Sequence, residues 1–458
     1  MFRTIRKTGL VLALCMPGMA LADLDNLTLD QAVDMALNND PRIEDQQANV
    51  ARAQALIERV AGEGGVRISA NMYAGIAPQS GDGLFDNGTN TCPGGEDCTL
   101  RDDAYKFNEG FTITTGLTAS LIKPLHTFGK LENYGRAADL NRAVSEAEVS
   151  VARGETYKTV HRAYYGYLAA RDTRRMLEGV LRQISTHRDD IKKDAEEGLV
   201  SMSDLYAVDT GIGTLNRFIA KADSIEAIAL DGLKTIIGVP IEQPIGIADS
   251  RLQPVTMPDG ELDFFSGQAL VERPEMRMAE QGLAAMRYFV AARKAESRPN
   301  LYAGVIGGGA YTPGRDRLRN PYIHQPLNNG FFAPVVGLQW EFNPGLVRAN
   351  VSEAEADMQS VVAQARLAQQ GIPFQVSEAY HQARGLRGQI EALDDARTAA
   401  RRWMISSFMD YQAGLIDGNG MAEAVRANTE TQAEYLQAVN DYNMAVTKLA
   451  VATGDYPQ

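Results

Sequence analysis

The side chains most able to do chemistry are few in this sequence. Five histidines, His126, His161, His187, His324 and His381, are scattered along 458 residues. None has a metal-ligand spacing to another, and none sits beside a nucleophile pattern. Acid pairs are abundant, but they fall on solvated helix faces. The glycines Gly304, Gly307, Gly308 and Gly309 invite comparison with a phosphate loop, yet no Lys-Ser/Thr follows and the setting is a strand. No catalytic residue, no metal site and no cofactor is therefore expected. An enzyme would instead be a soluble monomer with a cleft.

Cys92 and Cys98 close the run Cys-Pro-Gly-Gly-Glu-Asp-Cys. In an oxidising compartment this reads as a loop disulfide; a metal site would need more Cys or His nearby. The start of the chain supplies the compartment. Arg3, Arg6 and Lys7 form a basic n-region, Leu10 to Leu14 open an apolar stretch, and Ala20-Leu21-Ala22 is a small-residue cleavage site. Residues 1–22 are thus read as a signal peptide, with Cys15 discarded inside it. The formal charge of −13 and pI near 5.0 argue against nucleic acid as a partner. Solubility and an acidic duct lining both account for that acidity.

These residues need elements to position them. No segment after residue 22 has 18 or more uninterrupted apolar residues, so a membrane would not be crossed as a helix. A closed barrel is the other way to satisfy backbone groups in lipid. From Val66 the side chains alternate: Ile68, Ala70, Met72, Ala74 and Ile76 on one face, Arg67, Ser69, Asn71 and Tyr73 on the other. Phe111, Ile113, Leu117, Ala119 and Leu121 alternate with Thr112, Thr114, Thr118 and Ser120. Phe332, Val336, Leu338, Trp340 and Phe342 oppose Ala333, Val335, Gly337, Gln339 and Glu341. Such a period of two makes one apolar face and one small, mostly polar face. Four strands cannot close a conducting barrel, so three copies contributing twelve are expected.

The chain also repeats itself. Pro41 aligns with Pro274, Gly110-Phe111 with Gly330-Phe331, and Gly198-Leu199 with Gly414-Leu415. The first repeat runs over 23–238, with a helix, a β-hairpin over 66–122 and long helices over 130–196 and 202–237. A Pro/Gly/Asp-rich link follows over 239–264. The second repeat, 265–458, has a helix, a hairpin over 300–343 and helices over 346–412 and 420–453. Gly371-Ile372-Pro373 should kink or interrupt the third long helix. The stripes Leu205, Val208, Ile212, Leu215, Ile219, Ala222 and Leu386, Ile390, Leu393, Ala400, Met404, with Arg397 filling one slot of the second, step by three and four. They are narrow, which suits either helices lining a wet tunnel or a coiled-coil stalk.

Leu29-Asp30-Gln31-Ala32-Val33 through Asn39-Asp40-Pro41, the two Gly-Leu turns and the two Leu-x-x-x-x-Gly endings resemble the TolC-like outer-membrane efflux protein family over nearly all of the chain after residue 22. The resemblance implies a mixed fold, a membrane β-barrel plus an α-helical barrel, built as a homotrimer. It implies a passive duct in the outer membrane, projecting into the periplasm, with the link in an equatorial belt. The implied partners are outer-membrane lipid, a periplasmic adaptor (membrane fusion) protein and an inner-membrane transporter, for efflux or type I secretion. The tips Gly198-Leu199-Val200-Ser201 and Gly414-Leu415-Ile416-Asp417 match adaptor-contact segments; as helix C-caps they would need glycine in any case. Tyr411, Glu423 and Asp204 match a periplasmic gate, though the two acids are also what a helix dipole favours in a first turn. Gly420 and Ile416 depart from the family's ionic latch. A soluble periplasmic scaffold or adaptor is the rival reading, and alternating strands with aromatic ends speak against it.

Overall fold

In a computed structural model of the chain, the described residues are 24–79, 81, 83, 85, 89, 92, 99–100, 110–317, 326–341 and 343–457. Residues 1–22, Cys98, His324 and Phe342 lie outside them. The elements run α1 (Leu29–Asn39), α2 (Pro41–Glu63), β1 (Arg67–Pro78), β2 (Phe111–His126), α3 (Lys130–Glu196), α4 (Met202–Ile237), α5 (Leu262–Glu272), α6 (Pro274–Ala295), β3 (Asn300–Tyr311), β4 (Gly330–Gln339), α7 (Pro344–Gln412) and α8 (Gly418–Thr453).

Two helices, not one, precede each pair of strands. A proline sets each division: it lacks a donor, so it begins a helix and forces an extended residue before it. Asp40 (φ −72°, ψ 117°) precedes Pro41, and Arg273 (φ −65°, ψ 131°) precedes Pro274. Helix α1 opens with a capping box in which Thr28 Oγ1 accepts from Gln31 N and Gln31 Oε1 accepts from Thr28 N. The expected interruption at Gly371–Pro373 does not occur; α7 runs unbroken with Pro373 inside it. Ile372 (3% exposed) and Val376 (0%) are buried against Phe265, Tyr380 and Leu449, and that packing offsets the lost backbone bond.

The chain divides into two compact units. One comprises Asn49–Ser145 and Met278–Arg366 and holds the sheet. Its strands lie in the order β1-β2-β3-β4, all antiparallel, leaving β1 and β4 as edges. A register shift between Pro124 and His126 marks where β2 passes a proline.

The other unit, Met1–Ala48, Glu146–Arg277 and Leu367–Gln458, is helical. Its largest core joins Leu27, Val33, Val160, Tyr164, Leu233, Val439 and Tyr442. The segment between α4 and α5 is fastened there by side chains of α3 and α8. Tyr164 Oη donates to Asp249 Oδ2 (2.7 Å), Arg171 Nη2 to Asp249 O (2.6 Å), and Asn443 Nδ2 to Gln253 O (2.9 Å). A second core, Leu177, Val180, Ile184, Leu205, Val208, Met404, Met421 and Val425, packs hairpin α3–α4 against hairpin α7–α8.

Candidate functional site

The sheet turns its apolar face outward. Register sets Ile68 beside Leu121, Met72 beside Leu117 and Ile76 beside Ile113. Across β3 the same face reaches Phe332, paired with Gly307, and Val336, paired with Ala303. Ile68 is 73% exposed, Met72 82%, Phe332 75% and Val336 75%. A face this apolar and exposed is a surface for lipid, not for water. Aromatics gather where the strands end. Phe111, Tyr311, Phe331 and Phe332 stand at one end, and Trp340 follows β4 at the other.

The opposite face carries hydroxyls and glycines. Ser69 and Ser120 share a hydrogen bond of 2.8 Å, and Thr312 Oγ1 donates to Thr114 Oγ1 at 2.8 Å. Two tyrosines lie flat across glycines of the next strand. A methyl on Gly116 would come 2.3 Å from a ring carbon of Tyr73, and one on Gly337 would come 2.7 Å from Tyr302 Oη. Tyr73 pairs with Gly116, and Tyr302 with Gly337. Neither pairing is visible in the alternation, because register is a non-local property.

The two hairpin tips share one solution. Gly198 (φ 75°) and Gly414 (φ 70°) take the left-handed conformation that ends α3 and α7. Leu199 N donates to Asp194 O (2.7 Å), and Leu415 N to Asp410 O (2.8 Å). Val200 and Ile416 then pack into the second core, and Ser201 and Asp417 cap the returning helices. Asp417 Oδ1 accepts from Gly420 N at 2.9 Å, so α8 begins at Gly418, ahead of the expected 420. Between glycine and buried aliphatic, Leu199 and Leu415 stand out, 72% and 73% exposed.

Beside the tips, Tyr411 and Asp204 come together and Glu423 stays apart. Tyr411 lies against the second core, and its buried hydroxyl has no hydrogen-bond partner. Burial pushes its ionisation upward, with Asp204 and Asp194 adding to the effect. Asp204 is half-buried against the start of α8, where a methyl on Gly418 would come 2.8 Å from its Oδ1. Glu423 is exposed, and no hydrogen bond or ion pair joins it to Tyr411 or Asp204. Asp194 is the neighbour that sequence reasoning missed; it lies on α3, far from Tyr411 in the chain. Cys92 is disulfide-bonded. Among the described residues, no group of three or more His, Cys, Asp or Glu could hold a metal ion. Among the described residues, no helix is long and apolar enough to cross a membrane.

A four-stranded sheet with one exposed apolar face and long helical hairpins make up a fold found in outer-membrane channels. Solved structures share this fold. The channel CusC superposes with a TM-score of 0.74 at 19% identity, covering 93% of this chain and 92% of its own. The CmeC outer membrane channel of Campylobacter jejuni gives 0.77 at 14%, covering 93% and 85%. VceC of Vibrio cholerae gives 0.72 at 16%, covering 93% and 96%. Residues 265–455 match the family model of the outer membrane efflux proteins. Over 445 residues the chain is 25% identical to protein CyaE of Bordetella pertussis, covering 94% of this chain and 84% of that protein. In its second half by family model, and over most of its length by sequence and fold, the chain is similar to the outer membrane efflux proteins.

Proposed function

We propose that three copies of this chain close a twelve-stranded barrel and a helical barrel around one wet axis, forming the passive outer-membrane duct of a tripartite export system. The observation that carries this reading is a sheet with an exposed apolar face and two open edges. In lipid each unpaired backbone group costs several kcal/mol, so β1 of one copy must meet β4 of the next. Four strands per copy close nothing, and twelve enclose a conducting lumen. The hydroxyl-rich face then lines the water path. The two halves, 23–238 and 265–458, act as internal repeats, and the link over 239–264 sits in the belt. Residues 1–22 are removed as a signal peptide, and Cys92 bonds Cys98 in an outer loop.

The tips Gly198–Ser201 and Gly414–Asp417 are read as contacts for a periplasmic adaptor, which joins the duct to an inner-membrane transporter for efflux or secretion. An exposed leucine on each tip supports this. Tyr411 and Asp204 are read as part of a periplasmic constriction. Glu423 belongs to it only if copies of the chain bring it close, since within one chain it stands alone. Acids ringed by symmetry would favour cations.

The test is to purify the mature protein in detergent, determine its mass and place it in planar lipid. A particle of three chains that conducts is expected. A stable single-copy particle without conductance rejects the proposal. Gly198→Asp or Gly414→Asp is expected to weaken export while heat-modifiable migration on a gel persists.

A further inference from the structure

The sheet-bearing unit holds a cavity of about 950 Å³ beneath the hydroxyl-bearing face, where the strands meet their helices. Strand residues Arg67, Ile122, Tyr302 and Gln339 form its roof; all belong to that face by register. Leu56, Val60, Leu131, Met286 and Phe289, from α2, α3 and α6, form an apolar floor.

Its charges are one-sided in an otherwise acidic chain. Arg59, Arg67, Lys130 and Arg293 line it, against the single acid Glu63. Glu63 is committed to Arg67 at 2.7 Å. Just outside, Glu296 is committed to Arg293 at 2.9 Å and accepts from Tyr134 Oη at 2.7 Å. Arg293 also lies over Phe289 at 5.0 Å, which fixes one cationic wall. Among the described residues no acid pairs with Arg59 or Lys130. Asn300, another lining residue, buries a side-chain carbonyl oxygen with no donor. Two uncommitted cations and an apolar floor are complementary to one kind of molecule: an anionic head on an apolar body. The volume is that of a small-molecule site.

We propose that this cavity binds an amphiphilic anion, a carboxylate or phosphate monoester with an apolar body, as a way station inside the duct. Its place on the export path rests on the barrel proposed above; the binding itself rests on one chain. The molecule is either in transit or a lipid of the membrane, and both share this chemistry.

The full trimer, in nanodiscs of phosphatidylcholine, is titrated with 11-(dansylamino)undecanoate and with its methyl ester, followed by fluorescence. The acid is expected to bind about tenfold or more tightly than the ester. Arg59→Glu with Lys130→Glu should bring the acid to the level of the ester, and Arg59→Gln with Lys130→Gln should do so in part. Both cations stand on helix surfaces without partners, so trimer migration should survive. Phe289→Ala should weaken acid and ester alike. Phosphatidylglycerol in the nanodisc will compete if the resident anion is a lipid, and will leave the affinity unchanged if it is a molecule in transit. Equal binding of acid and ester, or undiminished binding by the double variants, overturns the proposal. A trimer that conducts but shows no preference for the acid rejects this site and leaves the duct standing; a particle that does not conduct rejects the duct.

Discussion

Replacing Leu199 and Leu415 together by serine separates docking from folding at the tips. Each leucine is already nearly three-quarters exposed, 72% and 73%. Full burial of a leucine side chain stabilises by about 1.5–3 kcal/mol, so the quarter already covered contributes about 0.4–0.8 kcal/mol to the protein alone. A partner covering the remaining three-quarters would gain about 1–2 kcal/mol per leucine, or about 2–4 kcal/mol per protomer. That corresponds to roughly thirtyfold up to several hundredfold in affinity. The neighbouring Val200 and Ile416 stay packed in the second core, and the two glycines keep their left-handed turns, so the tips keep their shape. The assay pairs the melting of the trimer with adaptor affinity measured by surface plasmon resonance. An unchanged melting temperature with affinity lowered by more than tenfold is expected. Unchanged affinity would refute the argument that these leucines are exposed in order to be covered.

Gly116→Ala must displace the Tyr73 ring and should cost about 1–3 kcal/mol of barrel stability. With Tyr73→Ala in the background that cost should vanish, and additive losses in a double-mutant cycle on heat-modifiability would count against the packing described. His161 is buried with Nδ1 2.8 Å from Tyr157 O, and burial holds it below its ordinary value of 6.5, although the hydrogen bond and Asp30 pull upward. The unfolded chain therefore gains protons first as pH falls, and stability present above about 6.5 is lost below it. His161→Phe keeps the ring stack and should flatten melting temperature against pH between about 7 and about 5; equally steep curves would reject the assignment. Pro373→Ala restores a backbone donor inside α7 and should stabilise by about 1–3 kcal/mol, read as a raised melting temperature. A lowered one would show that the proline's geometry is itself required.

Much of this was legible before any coordinates. Alternation from Val66 placed β1 to within one residue of its start at Arg67, and the Gly-Leu pairs marked both tips. Both signals are local: a strand repeats every two residues, and a helix reversal needs a left-handed residue whatever surrounds it. Prolines were legible only in part. Pro41 and Pro274 begin helices through their own ring geometry, whereas Pro373 sits inside one because Ile372 and Val376 find a core.

What the tertiary structure decided is everything that joins distant residues. Tyr73 over Gly116, Asp204 and Asp194 beside Tyr411, and Arg59 with Lys130 and Arg293 around one cavity all depend on strand register and on which helices pack together. Periodicity fixes the face on which a side chain stands. It cannot fix the neighbour that side chain meets, because that contact is chosen by the free energy of the whole packed core, not by any stretch of chain alone.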